Sequence, residues 1–181
     1  MVKKIMVSAI GKDQKGIVAA FSQVLFENRC NIEDTSMTIL EDQFAMLFIV
    51  TLPQGFGAED LQKQFDTALA DFHMQVSVHE INTQRETLSS VGEPWMISVS
   101  SPDQTGIMYH VTQYLSAQQI NVRHLSSKRL TRPGGETIFL MAVETDVPSS
   151  LPSHQLLADL QMLGQAEKLE IHAEQLETYT L

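Results

Sequence analysis

The chain has 181 residues, with 12 Lys and Arg against 22 Asp and Glu and a formal net charge of -10. Such an acidic surface repels phosphate backbones, which excludes a protein that binds DNA or RNA by itself. The length accommodates one large domain or two of about 90 residues, and the single cysteine, Cys30, excludes an internal disulfide framework and indicates a cytoplasmic protein.

The first elements predicted along the chain are a strand and a helix. Residues 4–10 form an apolar run typical of a buried strand. The run ends in charged residues after about seven positions and has no cleavage site, so it does not predict a secretory leader. Residues 11–15 form a loop. Residues 16–28 place apolar side chains at helical spacing, which predicts one apolar stripe made of Ile17, Val18, Phe21, Val24, Leu25 and Phe26.

A hairpin, a second helix and a last strand follow. Two β-rich runs, 30–40 and 44–53, are separated by turn-like residues and predict the hairpin. Apolar residues recur at helical spacing over about 58–72, and residues 74–81 alternate as a half-buried strand does. The order is therefore β-α-β-β-α-β.

The same order is predicted to repeat after a polar linker at residues 82–93, which gives one domain at 1–81 and another at 94–181. Asn31-Ile32 returns ninety residues later as Asn121-Val122, and the offset then grows by about three in a longer hairpin. No segment approaches the roughly 20 apolar residues of a membrane span, so we expect a soluble protein. Each half fits an α+β, ferredoxin-like plan, an antiparallel four-stranded sheet with both helices on one face.

The clearest repeated motif lies where the first strand of each half meets the first helix. Residues 11–18 read GKDQKGIV and residues 101–108 read SPDQTGIM. The free N–H groups at a helix start attract a carboxylate, while Asp13 and Asp103 could receive an ammonium group. Gly16 and Gly106 allow close approach, and this combination suits a zwitterion. Alternatively, the aspartates are helix caps and the glycines are turn residues.

These motifs resemble the ACT domain, a small amino-acid-sensing module whose first loop carries D-x-x-G-[IVL] and whose second strand begins with N-I. Both halves match. The resemblance implies effector binding at module interfaces, by Asp13, Gly16, Ile17 and Asn31 in one half and by Asp103, Gly106, Ile107 and Asn121 in the other. Asn31 and Asn121 lie where the first helix of each half returns into the second strand, and we expect their side-chain amides to reach the same pockets as the loops. Pro102 and the longer hairpin depart from the pattern and predict an altered second pocket.

The second strand of each module is predicted to lie at an edge of its sheet. Glu33 and Asp34 make one edge acidic, and Arg123 and His124 make the other basic. Pairing of these edges would bring opposite charges together, with a stabilisation of about 0.2–1 kcal/mol per exposed pair. Alternatively, the charges serve only to keep each edge soluble.

Two modules with no catalytic segment resemble ACT-domain regulators of glycine cleavage genes, which implies a non-enzymatic repressor that senses glycine. Because of its acidity, such a repressor would act through a DNA-binding transcriptional activator. No cofactor, metal or catalytic motif is predicted, and a homodimer is compatible with the sequence. The alternatives are a regulatory companion of a metabolic enzyme and a ligand-free dimerisation module.

Overall fold

The structure, a computed structural model, describes residues 3–81 and 92–177. The chain divides into two compact units, and the division falls between these two ranges. Most of the predicted linker, residues 82–91, therefore lies outside the described residues. Each unit is treated separately below and is called the first or the second module.

The first module has the predicted β-α-β-β-α-β order. Its elements are strand β1 at Lys3–Lys12, helix α1 at Ile17–Glu27, strands β2 at Asn31–Leu40 and β3 at Gln43–Leu52, helix α2 at Ala58–Ala68, and strand β4 at Gln75–Glu80. A short 3-10 turn at Ala70–Phe72 follows α2. The predicted second helix thus ends earlier than expected, and its last residues form this turn.

The second module repeats this order. Its elements are strand β5 at Gly92–Pro102, helix α3 at Ile107–Ala117, strands β6 at Asn121–Thr131 and β7 at Thr137–Pro148, helix α4 at Ser153–Glu167, and strand β8 at Glu170–Gln175. The first strand begins two residues before the predicted 94. In the paired strands Thr51 and Asp146 occupy equivalent positions, because they face Asn31 and Asn121 respectively. The hairpin therefore lengthens the repeat by five residues, and the expected three was too few.

Both sheets have the same strand arrangement, β2-β3-β1-β4 in the first module and β6-β7-β5-β8 in the second. All the strand pairs are antiparallel. The predicted α+β, ferredoxin-like fold is confirmed, and β2 and β6 lie at sheet edges as expected. Because neighbouring side chains in a strand point to opposite faces, each sheet has a face covered by helices and an uncovered face.

The helix-covered face of each sheet forms that module's hydrophobic core. In β1 the alternate residues Ile5, Val7 and Ala9 are fully buried. Phe21 of α1 packs against Phe65 of α2 with ring centroids 5.1 Å apart. Burial of each such aromatic side chain stabilises the fold by roughly 1.5–3 kcal/mol relative to exposure.

The apolar stripe predicted for α1 was too wide. Ile17, Phe21 and Leu25 are buried, whereas Val18 is 41% exposed and Phe26 is 82% exposed. At about 100° per residue, Phe26 lies on the side of the helix opposite to Ile17. Nearness in sequence to a buried residue was therefore a poor guide at this position.

The sequence pattern of the second half predicts a helix over about 150–163, whereas α4 begins at Ser153 and continues to Glu167. Gly164 lies inside the helix and faces the start of β8. A β-carbon at this position would lie 2.7 Å from the backbone oxygen of Leu169. Glycine therefore does not end this helix, and its missing side chain lets the helix approach the next strand. Within the two described ranges, no helix has the length and apolar character needed to cross a bilayer.

Candidate functional site

The two predicted loops form equivalent elbows between the first strand and first helix of each module. Gly16 precedes α1 with a φ of 96°, and Gly106 precedes α3 with a φ of 93°. Both values lie in the left-handed region that residues with a β-carbon rarely adopt. Neither helix start has a side-chain cap. The aspartates are therefore not the helix caps that the alternative interpretation required.

The glutamine that follows the aspartate in each motif has a structural role that the sequence alone did not reveal. The Gln14 amide donates a hydrogen bond to the backbone oxygen of Phe72 at 3.1 Å. The Gln104 amide donates to the backbone oxygen of Glu167 at 2.9 Å. Gln14 thus ties its elbow to the turn that follows α2, and Gln104 ties its elbow to the last residue of α4. Each hydrogen bond satisfies a carbonyl group near a helix end.

The aspartates anchor the elbows through their backbones in the same way but differ in their side chains. Asp13 N–H donates to the oxygen of Asp42 at 2.8 Å, and Asp103 N–H donates to the oxygen of Thr137 at 3.0 Å. The Asp103 carboxylate forms an ion pair with Arg129 at 2.5 Å. The Asp13 carboxylate is exposed and has no polar partner within the described part of the chain.

This difference follows from residues elsewhere in the modules. Ile39 occupies the position in β2 that Arg129 occupies in β6, so the first module has no cation there. His110 lies on α3 where α1 has Ala20, with its Nε2 atom 3.2 Å from the position of a β-carbon on Gly106. The His110 ring also approaches the Glu167 carboxylate at 3.5 Å. The second elbow is consequently more crowded than the first. A second pocket that is altered or empty because of Pro102 and the longer hairpin stays a prediction.

Ile17 and Ile107, which follow the two glycines, have their side chains in the hydrophobic cores. Both are almost fully buried. Only their backbone groups are available at the elbows, and those N–H groups belong to the first helical turns that lack intrahelical acceptors. The assignment of these residues to ligand binding therefore concerns backbone contacts and stays a prediction.

The asparagines lie at the other end of each sheet. Asn31 faces Thr51, which faces Lys4 near the start of β1, whereas Asp13 follows the last residue of β1. Eight residues of strand, or about 26 Å, separate these two levels. Asn121 faces Asp146, which in turn faces Pro94, so the second module is the same. The expectation that one module brings its asparagine and elbow into the same pocket was wrong.

The predicted interface charges Glu33 and Arg123 occupy equivalent bulges in the two edge strands, because the register shifts at each of them. Lys4 and Thr51 both donate hydrogen bonds to the Glu33 carboxylate. These hydrogen bonds lower the pKa of Glu33 below its ordinary value of 4.5. Arg123 approaches the Asp146 carboxylate at 3.6 Å. Glu33 and Arg123 thus each have a partner within their own module.

The other edge residues make local contacts or lie exposed. The Asp34 carboxylate accepts a hydrogen bond from Thr35 N–H at 2.7 Å, and His124 is exposed. Asp146, which is nearly buried, also accepts a hydrogen bond from the Asn121 amide at 3.3 Å. Asn121 therefore helps to hold the start of β6 in place. Pairing between the two edges stays a prediction.

Cavities occur away from the elbows. A cavity of about 990 Å³ is lined by strands of the second sheet together with α4, and a smaller one of about 250 Å³ lies on the first sheet. Neither includes the predicted site residues. Lys128 and Glu170 line the larger cavity, and the sequence analysis overlooked them because they come from strands at opposite edges. Over residues 3–81 and 92–177, no group of three His, Cys, Asp or Glu side chains could hold a metal ion.

Cys30 packs against the first core as a half-buried residue. Burial raises the pKa of its thiol, which disfavours the nucleophilic thiolate form. In this environment Cys30 serves as a small hydrophobic residue of the first core.

Comparisons with known families cover most of the chain. A family model described as the ACT domain matches residues 3–79, and another with the same description matches residues 95–151. A UPF0237 protein of Methanocaldococcus jannaschii is 40% identical over 79 residues, which make up 42% of this chain and 88% of that protein. A UPF0237 protein of Methanopyrus kandleri is 48% identical over 63 residues, 32% of this chain and 70% of that protein.

Solved structures resemble the full length of the chain. An unknown protein from Galdieria sulphuraria has a TM-score of 0.85 at 26% identity, with 98% of this chain and all of that chain covered. A proposed glycine cleavage system transcriptional repressor has a TM-score of 0.69 at 18% identity, with 98% of this chain and 99% of that chain covered. At that identity the second similarity shows the fold alone.

The left-handed glycines provide a test of elbow geometry. We expect Gly16→Ala to destabilise the protein by about 1–2 kcal/mol, because an L residue is strained in this region. Gly106→Ala should cost more, because its β-carbon would also crowd His110. Urea unfolding followed by circular dichroism measures both, with Lys15→Ala as a control in the same loop that should change stability by less than about 0.5 kcal/mol. Equal stability of Gly16→Ala and Lys15→Ala would contradict the assigned geometry.

The Glu33 carboxylate should make stability depend on pH. Because the pKa of Glu33 is lowered in the folded protein, its ionised carboxylate stabilises the fold at pH values above the ordinary glutamate pKa. This stabilisation is lost as the pH falls through the folded-state pKa. We therefore expect Glu33→Gln to lower the melting temperature near pH 7 but to have little effect near about pH 2. Glu41→Gln, in the exposed hairpin turn, serves as the control. A Glu33→Gln effect of the same size at both pH values would show that the ionised carboxylate is not the stabilising species.

Proposed function

The chain belongs to the ACT-domain family, and on that premise we propose that it is a non-enzymatic regulatory protein that binds a small amino acid at the elbow of its first module. The observation that carries the proposal is the exposed Asp13 carboxylate, which has no polar partner among the described residues. Three residues further along, Gly16 precedes the first residue of α1, and no side chain caps the start of this helix.

The two ends of this elbow complement the two charges of an amino acid. The ligand ammonium group would bind the Asp13 carboxylate. Its carboxylate group would accept hydrogen bonds from the first N–H groups of α1, including that of Ile17, where the helix dipole contributes about 0.3–1 kcal/mol. The absent β-carbon of Gly16 permits close approach to the backbone.

The second elbow is the weaker candidate. Arg129 already neutralises Asp103, and a ligand ammonium group would have to displace it. His110 lies beside Gly106, which leaves less space next to the helix start. We therefore propose that the first module carries the principal ligand site and that Asp103, Gly106 and Ile107 form an altered one, to which Asn121 of the same module does not contribute.

Asn31 can contribute to such a site only when it comes from another copy of the module. It lies about 26 Å from the level of Asp13 along the first sheet. A homodimer would provide a second surface to close over an exposed elbow, and the edge residues Glu33 and Asp34 would lie near such an interface. Ligand binding would then favour one association state, which is a means of regulation.

Glycine is the favoured effector by resemblance to regulators of glycine cleavage genes. With five non-hydrogen atoms, glycine can gain at most about 7.5 kcal/mol, which corresponds to a dissociation constant of a few micromolar at best. Binding weaker than this limit is expected for an exposed elbow. Such affinity suits a sensor of a metabolite present at high concentration.

The proposed output is negative regulation of glycine cleavage genes through a DNA-binding transcriptional activator. The net charge of -10 opposes direct DNA contact, so a partner must provide it. The similarity in fold to a proposed glycine cleavage system transcriptional repressor is compatible with this role. Retention of a metabolic enzyme by the immobilised protein, rather than of a transcriptional activator, would favour the alternative role as an enzyme companion.

Isothermal titration calorimetry with glycine, alanine, serine and other amino acids tests the ligand site. We expect Asp13→Asn to weaken binding of the preferred amino acid about 10-fold to 100-fold, since a charge-assisted hydrogen bond contributes about 1.5–3 kcal/mol. Asp103→Asn should change the affinity by less than about twofold, because the second elbow is already occupied by Arg129. The absence of any response up to about 10 mM amino acid would instead favour the ligand-free dimerisation module.

A further inference from the structure

The cavity of about 990 Å³ on the second module has a floor that is organised by strand register. Lys128 faces Leu140, Leu140 faces Ser100, and Ser100 faces Glu170, so these four residues form a row across all four strands. A parallel row two residues away consists of Ser126, Ala142, Ser98 and His172. Both rows lie on the face of the sheet that the helices do not cover.

Small side chains in the centre of these rows make the surface concave. Ser100 lies in the row between Lys128 and Glu170, beside the larger Leu140, and Ser98 and Ala142 form the centre of the parallel row. On the first module the position of Ala142 is occupied by Leu47, and that of Ser100 by Ile10. These larger residues leave a cavity of about 250 Å³ there. Leu140 is the exception, because the smaller Ala45 occupies its position in the first module. The difference in volume therefore follows from Ser100 and Ala142 and from the extension of the larger cavity to α4.

The lining of the cavity continues onto helix α4. Gln161, Gly164 and Gln165 all contribute to it. Because α4 packs on the opposite face of the sheet, the cavity must extend around the outer edge of β8. This extension provides amide groups beside the end of the row that carries Glu170.

The two ends of the row have opposite charges. The Lys128 ammonium group is exposed and has no ion-pair partner in the described ranges. The Glu170 carboxylate accepts a hydrogen bond from the Ser100 hydroxyl at 3.0 Å, which holds it at the cavity wall. In the first module the equivalent positions carry Thr38 and Gln75, so the charges are also specific to the second module.

The separation of the two strands that carry Lys128 and Glu170 sets the approximate length of a matching ligand. Three strand spacings place the Cα atoms of Lys128 and Glu170 about 14 Å apart. Glycine is too short to contact both ends. An extended tripeptide is about 10 Å long, and one hydrogen bond of about 3 Å at each end lets it span the row.

We propose that this cavity binds short zwitterionic peptides of about tripeptide length, with the ligand ammonium group at Glu170 and the ligand carboxylate at Lys128. The hydroxyl groups of Ser98, Ser100 and Ser126 would serve the peptide groups between the two ends. Leu140 and Ala142 would contact small side chains. The site is independent of the elbow at Asp13 and does not require the proposed binding of glycine there.

Calorimetric titration of the full chain with trialanine tests the proposal. We expect binding of trialanine and at least a 10-fold loss of affinity for the same peptide with an acetylated amino end and an amidated carboxyl end. Free alanine should also bind at least 10-fold more weakly. Equal binding of the free and the capped peptide, or no binding of trialanine up to about 10 mM, would overturn the proposal.

Variants taken from the first module provide matched controls. The triple change Ser100→Ile, Leu140→Ala and Ala142→Leu gives the second sheet the side chains that the first module carries at the same positions. It should reduce the cavity and abolish trialanine binding. Lys128→Thr changes an exposed residue and should preserve the fold while weakening binding at least 10-fold. Unchanged trialanine affinity in Lys128→Thr would overturn the proposal. Glycine affinity should be the same in all these variants, which separates this site from the elbow.

Discussion

Coverage of only one face of each four-stranded sheet by its two helices is the constraint on which the other features of this protein depend. It buries alternate residues of every central strand, and it requires a sharp turn wherever a strand passes into the helix that must lie back across it. The left-handed glycines Gly16 and Gly106 provide these turns. The same constraint leaves one sheet face uncovered and places β2 and β6 at edges. The helix starts, the sheet edges and the uncovered sheet faces are therefore the parts of each module that remain available to ligands or partners.

Duplication of the fold has preserved backbone interactions and changed side-chain interactions. Both elbows are anchored by a backbone hydrogen bond from the aspartate and by a glutamine that reaches the end of the second helix or the turn after it. Yet Arg129 binds Asp103, whereas Ile39 cannot bind Asp13. A single exchange on the edge strand thus decides which carboxylate is available to a ligand. The uncovered faces differ in the same manner, since Leu47 and Ala142 occupy equivalent positions and determine how deep each cavity is.

The position of the asparagines shows how topology limits what a repeated motif can do. Because β1 and β2 run in the same direction and α1 connects the end of one to the beginning of the other, Asn31 must lie far from the elbow that precedes α1. A site that uses both residues therefore requires two copies of the module. In such a site, ligand binding would depend on self-association. The peptide site proposed on the uncovered face of the second sheet needs no such partner, because one module contributes every residue of the row.

The amino-acid sequence by itself determined the duplication, the order of elements and the ferredoxin-like fold, because hydrophobic periodicity and the repeated motif depend on residues close together in the chain. It also identified the elbows. Only the tertiary structure decided that Phe26 is exposed, that Gly164 continues a helix, that Asn31 is remote from Asp13, and that Lys128 and Glu170 share a row. Each of these facts depends on strand register or helix packing, which joins residues distant in sequence and leaves no local pattern.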